Sequence, residues 1–144
     1  MPSWSEFEAA APEFAKRVRE RLDAQKHKAL ATLRADGSPR ISGIETEIKD
    51  GELWIGSMLK ALKARDLQRD PRFALHVGSD ASPEWPGDAK LAGIAEEITD
   101  PERGYHLFRL DLREVSTVGL DDARKALVID VWTPDRGMRT IKRS

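Results

Sequence analysis

Basic side chains are concentrated in residues 56–72, GSMLKALKARDLQRDPR, directly after a strand-like apolar run. The chain as a whole is almost neutral, with 24 basic and 25 acidic residues. The pattern predicts a helix that has Ser57 as its N-cap and ends at Asp70-Pro71. The basic residues on or beside this helix are Lys60, Lys63, Arg65, Arg69 and Arg72.

Lys60 and Lys63 would lie in the first two turns of that helix, on one face. A helix dipole disfavours cations there by about 0.3–1 kcal/mol each, so the placement needs a reason. Free backbone N–H groups and two lysines together form an anion site, and a phosphate group is the candidate ligand. The alternative is a solvated basic helix whose charge is partly offset by Asp66 and Asp70.

Two glutamates and three histidines are the remaining candidates for chemistry. Glu45 and Glu47 alternate on one strand and are either an acid/base pair or the solvated face of an edge strand. His27, His76 and His106 stand about 30 or more residues apart, which favours surface or packing roles. With no cysteine and no standard hydrolase, P-loop or dinucleotide fingerprint, we assign no catalytic residue and no metal site.

The composition is that of an ordinary globular chain of 144 residues, 40% hydrophobic and 34% charged. Its length favours a single domain over residues 1–144. A net charge of −1 argues against a nucleic-acid partner, and no apolar run is long enough for a membrane span. Without a recognisable signal peptide, a cytoplasmic protein is the expectation.

The elements that would carry these residues fall into two parts. Residues 1–27 show apolar side chains every three or four positions, which predicts a helical segment with a break at Ala11-Pro12. Residues 28–144 alternate with period two and contain the hairpin signals Asp36-Gly37 and Asp50-Gly51. We therefore predict a mainly β, antiparallel barrel of six to eight strands with peripheral helices, one of them following the third strand.

The order ATLRADGSPRISGIETEI, KDGELWIGS, MLKALKARDLQRDPRFALHV resembles the flavin-binding split-barrel family, whose best-known member is pyridoxamine 5′-phosphate oxidase. The resemblance covers roughly residues 25–115 and looks closest to small actinobacterial-type members that bind FMN or the deazaflavin coenzyme F420. It implies a split β-barrel homodimer that holds its cofactor, and a small-molecule substrate, in a groove between the protomers.

The resemblance also implies roles for individual residues. Strand 40–47 would run along the ring system, Lys63 would bind the phosphate, and Trp85 and Trp132 would contact the ring. The complete set of implied cofactor residues is Arg40, Ser42, Gly43, Ile44, Glu45, Gly56, Ser57, Lys60, Lys63, Trp85 and Trp132.

Several departures from the oxidase itself narrow the expected activity. Ser42 and Glu47 stand where the oxidase carries basic residues, and its C-terminal substrate motif is not recognisable. We therefore do not expect pyridoxine 5′-phosphate oxidase activity. The connection at residues 99–106, TDPERGYH, is short for the family, which would remove one wall of the groove.

The resemblance implies a flavin- or deazaflavin-binding oxidoreductase that transfers hydride to or from a small organic substrate. FMN is favoured over F420, although Arg40, Arg65 and Arg69 would suit the additional carboxylates of F420. A non-catalytic flavin or haem carrier or sensor of the same fold is the alternative. A third hypothesis, a basic helix that contacts nucleic acid or another acidic partner, is opposed by the neutral net charge.

Overall fold

The computed structural model describes residues 1–79 and 84–144, which form nine antiparallel strands and three helices. The helices are α1 (Trp4–Ala10), α2 (Pro12–Ala24) and α3 (Leu62–Arg69). The strands are β1 (Lys28–Leu33), β2 (Pro39–Ile44), β3 (Thr46–Lys49), β4 (Glu52–Ser57), β5 (Arg72–Val77), β6 (Asp88–Glu97), β7 (His106–Leu120), β8 (Leu127–Thr133) and β9 (Gly137–Arg143). The predicted mainly β architecture with peripheral helices is confirmed. In the described residues, no helix is both long and apolar enough to cross a membrane.

The N-terminal segment is helical with the predicted break, and α2 ends at Ala24, three residues before the predicted end of the segment. Ser3 caps α1 through a capping box with Glu6, and Pro12 is the first residue of α2 after a break at Ala11. Their apolar stripe is buried against the sheet; Phe7, for example, packs 4.7 Å from the ring of Trp132. The two helices thus cover the part of the sheet formed by β4, β6 and β7.

The sheet runs in the order β2-β1-β5-β6-β7-β4-β3, and β8 and β9 continue from β7. The predicted single strand 40–47 is in fact two strands, because the chain leaves one sheet edge and joins the other at Glu45. β2 pairs with β1, whereas β3 pairs with β4. The split raises the strand count to nine, places α3 after the fourth strand, and leaves the barrel open between β2 and β3.

Two hairpin turns and one bulge shape this sheet. Gly37 and the Asp50-Gly51 pair have positive φ, as the two Asp-Gly signals predict. Gly93 lies at a register shift between β6 and β7, where a Cβ would collide with the carbonyl oxygen of Asp111. Only glycine fits there, so this position is required by packing.

Candidate functional site

A groove opens where β2 and β3 separate, between that gap and the end of β4. Its volume of about 710 Å³ lies in the range of small-molecule sites. Six of the predicted cofactor residues line it: Gly43, Ile44, Glu45, Gly56, Ser57 and Lys63. The structure therefore brings together, in one place, residues that are up to 20 positions apart in the chain.

Lys63 reaches across the groove to the end of β2. Its Nζ donates a hydrogen bond to the carbonyl oxygen of Gly43 at 2.8 Å, which leaves two ammonium donors for other acceptors. The predicted N-cap is wrong, since α3 begins at Leu62 and its N-cap is Ala61. Ser57 is instead the last residue of β4, where it pairs with His106, and residues 58–61 separate it from the helix.

The backbone along the groove is open to a flat ligand at two glycines. A Cβ at Gly43 would meet no atom within 4 Å, so packing does not require glycine there. A Cβ at Gly56 would come within ordinary contact, 3.6 Å, of the Tyr105 ring. The Ser57 hydroxyl lies 3.4 Å from the carbonyl oxygen of Met58, which is too long for a strong O–H···O bond and leaves it available.

Three further predicted residues lie beside the groove and do not line it. Lys60 borders an adjacent shallow depression together with Leu59 and Tyr105. Ser42 alternates with Gly43 on β2 and is not among the groove-lining residues. The Nε of Arg40 donates to Asp66 at 2.7 Å, and its side chain is only 19% exposed.

Asp66 is the centre of a buried polar cluster that fixes α3 on β1 and β2. Its carboxylate, 2% exposed, accepts hydrogen bonds from Thr32 Oγ1 and Arg40 Nε, both at 2.7 Å, and Arg69 lies 3.5 Å away. Burial raises the pKa of Asp66, but the bonds from Arg40 and Thr32 outweigh burial and leave that pKa below its ordinary value. The cluster holds the helix that presents Lys63.

The two predicted tryptophans lie elsewhere. Trp132 is 3% exposed and packs on Phe7 in the core, so its ring has no surface to offer a cofactor of this chain. Trp85 borders a separate cleft with Arg21 and Asp88. Residues 80–83, which precede Trp85 in the chain, lie outside the described residues.

The groove also contains residues that sequence reasoning did not select, namely His27, Trp54 and Tyr105. Trp54 lies opposite Glu47 in the β3–β4 register. The alternation of side chains along β4 was therefore the sequence signal that could have indicated Trp54. Tyr105 comes from the short connection 99–106 and lines the groove with Leu107, so this connection supplies a wall that we expected to be missing. No local pattern indicates Tyr105, because the β4–β7 pairing brings it there.

Two carboxylates contribute negative charge to the groove lining. Glu45 and Glu47 line it beyond Gly43, and Lys26 lies 3.6 Å from Glu45. Lys63 also lines the groove, so one cavity contains a positive charge and two carboxylates. A ligand that spans the groove would therefore meet both signs of charge.

An antiparallel barrel left open between two edge strands, with a groove at the opening, defines the class of split-barrel proteins. The family model described as pyridoxamine 5′-phosphate oxidase matches residues 14–131, which is most of the sequence. The chain belongs to this family. No curated protein matches the sequence.

Solved structures share the fold at low sequence identity. A pyridoxamine 5′-phosphate oxidase-related, FMN binding protein from Nostoc punctiforme PCC 73102 is 12% identical, with a TM-score of 0.67 over 93% of this chain and 96% of that chain. A heme binding protein from Mycobacterium smegmatis is 15% identical, with a TM-score of 0.62 over 100% of this chain and 89% of that chain. An F420 reductase is 20% identical, with a TM-score of 0.51 over 62% of this chain and 88% of that chain.

Proposed function

We propose that this chain binds a flavin-type cofactor in the groove and acts as an oxidoreductase on a small organic substrate. The observation that carries the proposal is the convergence of Gly43, Ile44, Glu45, Gly56, Ser57 and Lys63 on one cavity. These six residues are implied as cofactor contacts by the family resemblance. A coincidental family match would not place them around a common space.

The residues of the groove fit a phosphorylated, flat group. Lys63 has two donors free for phosphate oxygens, beside the Ser57 hydroxyl and the first N–H groups of α3. The open space at Gly43 lets a ring lie against the strand backbone, with Ile44, Trp54 and Leu107 as apolar surroundings. A bound flavin would supply the hydride chemistry, while this chain binds it, orients it and excludes water.

The arginines favour FMN over F420. Arg40 is committed to Asp66, and Arg69 donates to the carbonyl oxygen of Leu33 at 3.2 Å and lies near Asp66. Of the three arginines expected to meet the F420 carboxylates, only Arg65 is exposed and without a hydrogen bond or ion pair in the described part of the chain. FMN needs none of the three, because its single phosphate is served by Lys63.

A second copy of the chain completes the site in this proposal. Large apolar side chains stand exposed around the groove, and contiguous exposed apolar surface is typical of a protein interface. They are Ile41 at 77%, Met58 at 81%, Leu59 at 53%, Leu62 at 57% and Tyr105 at 49%. β2 also pairs on only one side among the described residues, which leaves an edge for the partner to cover.

A non-catalytic haem carrier is the second candidate, and one observation favours it. His27 is exposed and lines the groove, and imidazole is a common axial ligand of haem iron. Titration of the protein with haem, with His27→Ala as the comparison, separates the two candidates. A His27-dependent absorption change, without FMN binding, would support the carrier.

Substitution at Gly43 tests the cofactor site itself. Valine has room at Gly43 in this chain, so Gly43→Val should leave thermal stability unchanged. A flavin ring against that strand would clash with the new side chain, so FMN affinity should fall about tenfold or more. Fluorescence titration with FMN and F420 in parallel measures this effect.

Gly119→Val is the matched control. Gly119 is a β7 residue outside the groove whose Cβ would meet only the carbonyl oxygen of Pro86, at 4.0 Å. FMN affinity should be the same in this variant as in the unmodified chain. Unchanged affinity in Gly43→Val, or no binding of either cofactor by the unmodified chain, would overturn the proposal.

A further inference from the structure

His106 lies just outside the groove and links three separate elements. It opens β7, between the groove residues Tyr105 and Leu107, and its Cα pairs with Ser57 at the end of β4. Its Nδ1 lies 2.6 Å from Glu97 Oε2 on β6. Its Nε2 lies 3.1 Å from the carbonyl oxygen of Leu59, in the segment 58–61 that leads into α3.

Both contacts of the ring are to hydrogen-bond acceptors. A backbone carbonyl cannot donate, and the other Glu97 oxygen already accepts from Gln68 Nε2 at 2.9 Å. Burial raises the pKa of Glu97, but the bonds from Gln68 and His106 outweigh it, so the pKa is below its ordinary value. A neutral imidazole has one N–H and satisfies one of the two acceptors; the imidazolium satisfies both.

The segment 58–61 has little else to hold it. Met58 and Leu59 are exposed, so apolar packing does not anchor them. The other hydrogen bonds of this segment are local, from Ala61 N and from the Ser57 hydroxyl to the carbonyl oxygen of Met58. Among the described residues, the bond from His106 is the one that ties this segment to a strand distant in the sequence.

We propose that His106 is a positioning residue, which in its doubly protonated form clamps the segment 58–61 against β7 and so holds one wall of the groove. The proposal rests on the function proposed above, because it makes FMN affinity depend on the charge of His106. The groups that face the ring are Glu97 from β6, Gln68 from α3, the Leu59 carbonyl and Phe108 of β7. Of these, Glu97 is the titratable one.

The charge of His106 is tested directly by NMR on the full chain without cofactor. Two-bond ¹H–¹⁵N correlation spectra at pH 7 distinguish imidazolium from either neutral tautomer, and His106→Phe assigns the signal. We expect both ring nitrogens of His106 to carry protons. A neutral His106 would overturn the clamp whether or not FMN binds, so this result is separate from the proposed function.

FMN titrations at pH 7 and pH 9 test the consequence, since the phosphate of FMN keeps its charge across that range. The unmodified chain should bind about threefold to tenfold more weakly at pH 9, the effect of losing one hydrogen bond. Glu97→Gln should remove most of this difference, because an amide donates to Nδ1 and lets a neutral ring keep its bond to Leu59. Equal pH dependence in both proteins would overturn the proposal.

His76→Phe is the matched control. In the unmodified chain, His76 Nε2 lies 3.0 Å from Asp88 Oδ2, and His76 neither lines the groove nor contacts the segment 58–61. The FMN affinity and pH dependence of His76→Phe should match those of the unmodified chain. Loss of the pH dependence in His76→Phe, as in Glu97→Gln, would mean that changes away from the segment 58–61 also abolish it, which contradicts a specific clamp.

Discussion

Two charged side chains of α3, Asp66 and Lys63, are used in opposite ways. Asp66 is buried and accepts hydrogen bonds from Thr32 and Arg40. Lys63, three residues earlier at the groove, makes one bond to a backbone carbonyl, and no carboxylate lies within salt-bridge distance of it in the described residues. One short helix therefore carries a carboxylate with several hydrogen-bond partners and an ammonium group with unused donors.

The difference separates stability from binding. A buried carboxylate contributes only if its partners are all present, since each unpaired charge left inside the protein is costly. A partly exposed ammonium without a carboxylate costs little, and its unused donors remain available to a ligand. The cluster around Asp66 should thus affect folding, and Lys63 should affect cofactor affinity.

Removal of Asp66 is the largest expected effect. Asp66→Ala leaves the Arg40 guanidinium without its carboxylate in a site where it is 19% exposed. Loss of one partner of a buried pair should lower the free energy of unfolding by about 3–5 kcal/mol. Urea unfolding of the variant measures it, with Asp23→Ala, at a side chain that is 71% exposed, as a surface control that should change much less. Similar losses in both variants would show that the Asp66 cluster has no special role.

The Thr32 bond to Asp66 should have a smaller effect, and one that depends on pH. Thr32→Val removes a hydrogen bond to a charged group and should cost about 1.5–3 kcal/mol near pH 7. Because the folded pKa of Asp66 is lowered, its stabilisation is present above about pH 4 and is lost as the pH falls through that lowered pKa.

Without the Thr32 hydroxyl, the pKa of Asp66 should rise towards its ordinary value, so Asp66 should lose less stabilisation on acidification in Thr32→Val than in the unmodified chain. Urea midpoints measured from pH 7 to pH 3 should therefore converge for the two proteins as Asp66 becomes protonated. A stability difference that stays constant over this range would mean that Thr32 acts through packing alone.

Local patterns were sufficient for most of the fold. The Asp-Gly turns, the break at Ala11-Pro12 and the end of α3 at Asp70 are local, and the structure confirms them. The split at Glu45 was not predictable from alternation. More exposed and less exposed residues keep alternating from β2 into β3, although the two strands pair with different partners. The start of α3 was misplaced because Ser57 has a good capping side chain but is held in β4 by pairing with β7.

The site was predictable only for residues that lie near one another both in the sequence and in space. Gly43, Ser57 and Lys63 lie on β2, β4 and α3, which are close together in the chain, and the three residues meet in the groove. Tyr105 arrives through long-range pairing, and no periodicity predicts it. Trp132 was selected for its aromatic character, which serves equally well in a core, and the core is where it packs.

Lys63→Ala completes the comparison from the groove side. The substitution removes a charged donor from the proposed phosphate site and should weaken FMN binding by about 1–3 kcal/mol. Stability should not fall by a comparable amount, because a cation at the second position of a helix opposes the helix dipole. Parallel FMN titration and urea unfolding of the same preparation measure both quantities.

Lys60→Ala is the matched control for Lys63→Ala. Lys60 is exposed and borders only the adjacent depression, so its removal changes the net charge equally but leaves the groove lining intact. Its effect on FMN affinity should stay near the 0–1 kcal/mol of a surface charge. Equal losses in both variants would indicate general attraction to a basic surface, and an unchanged dissociation constant in Lys63→Ala would remove the phosphate from this helix altogether. A loss confined to Lys63 would show that Asp66 and Lys63 divide folding and binding between them.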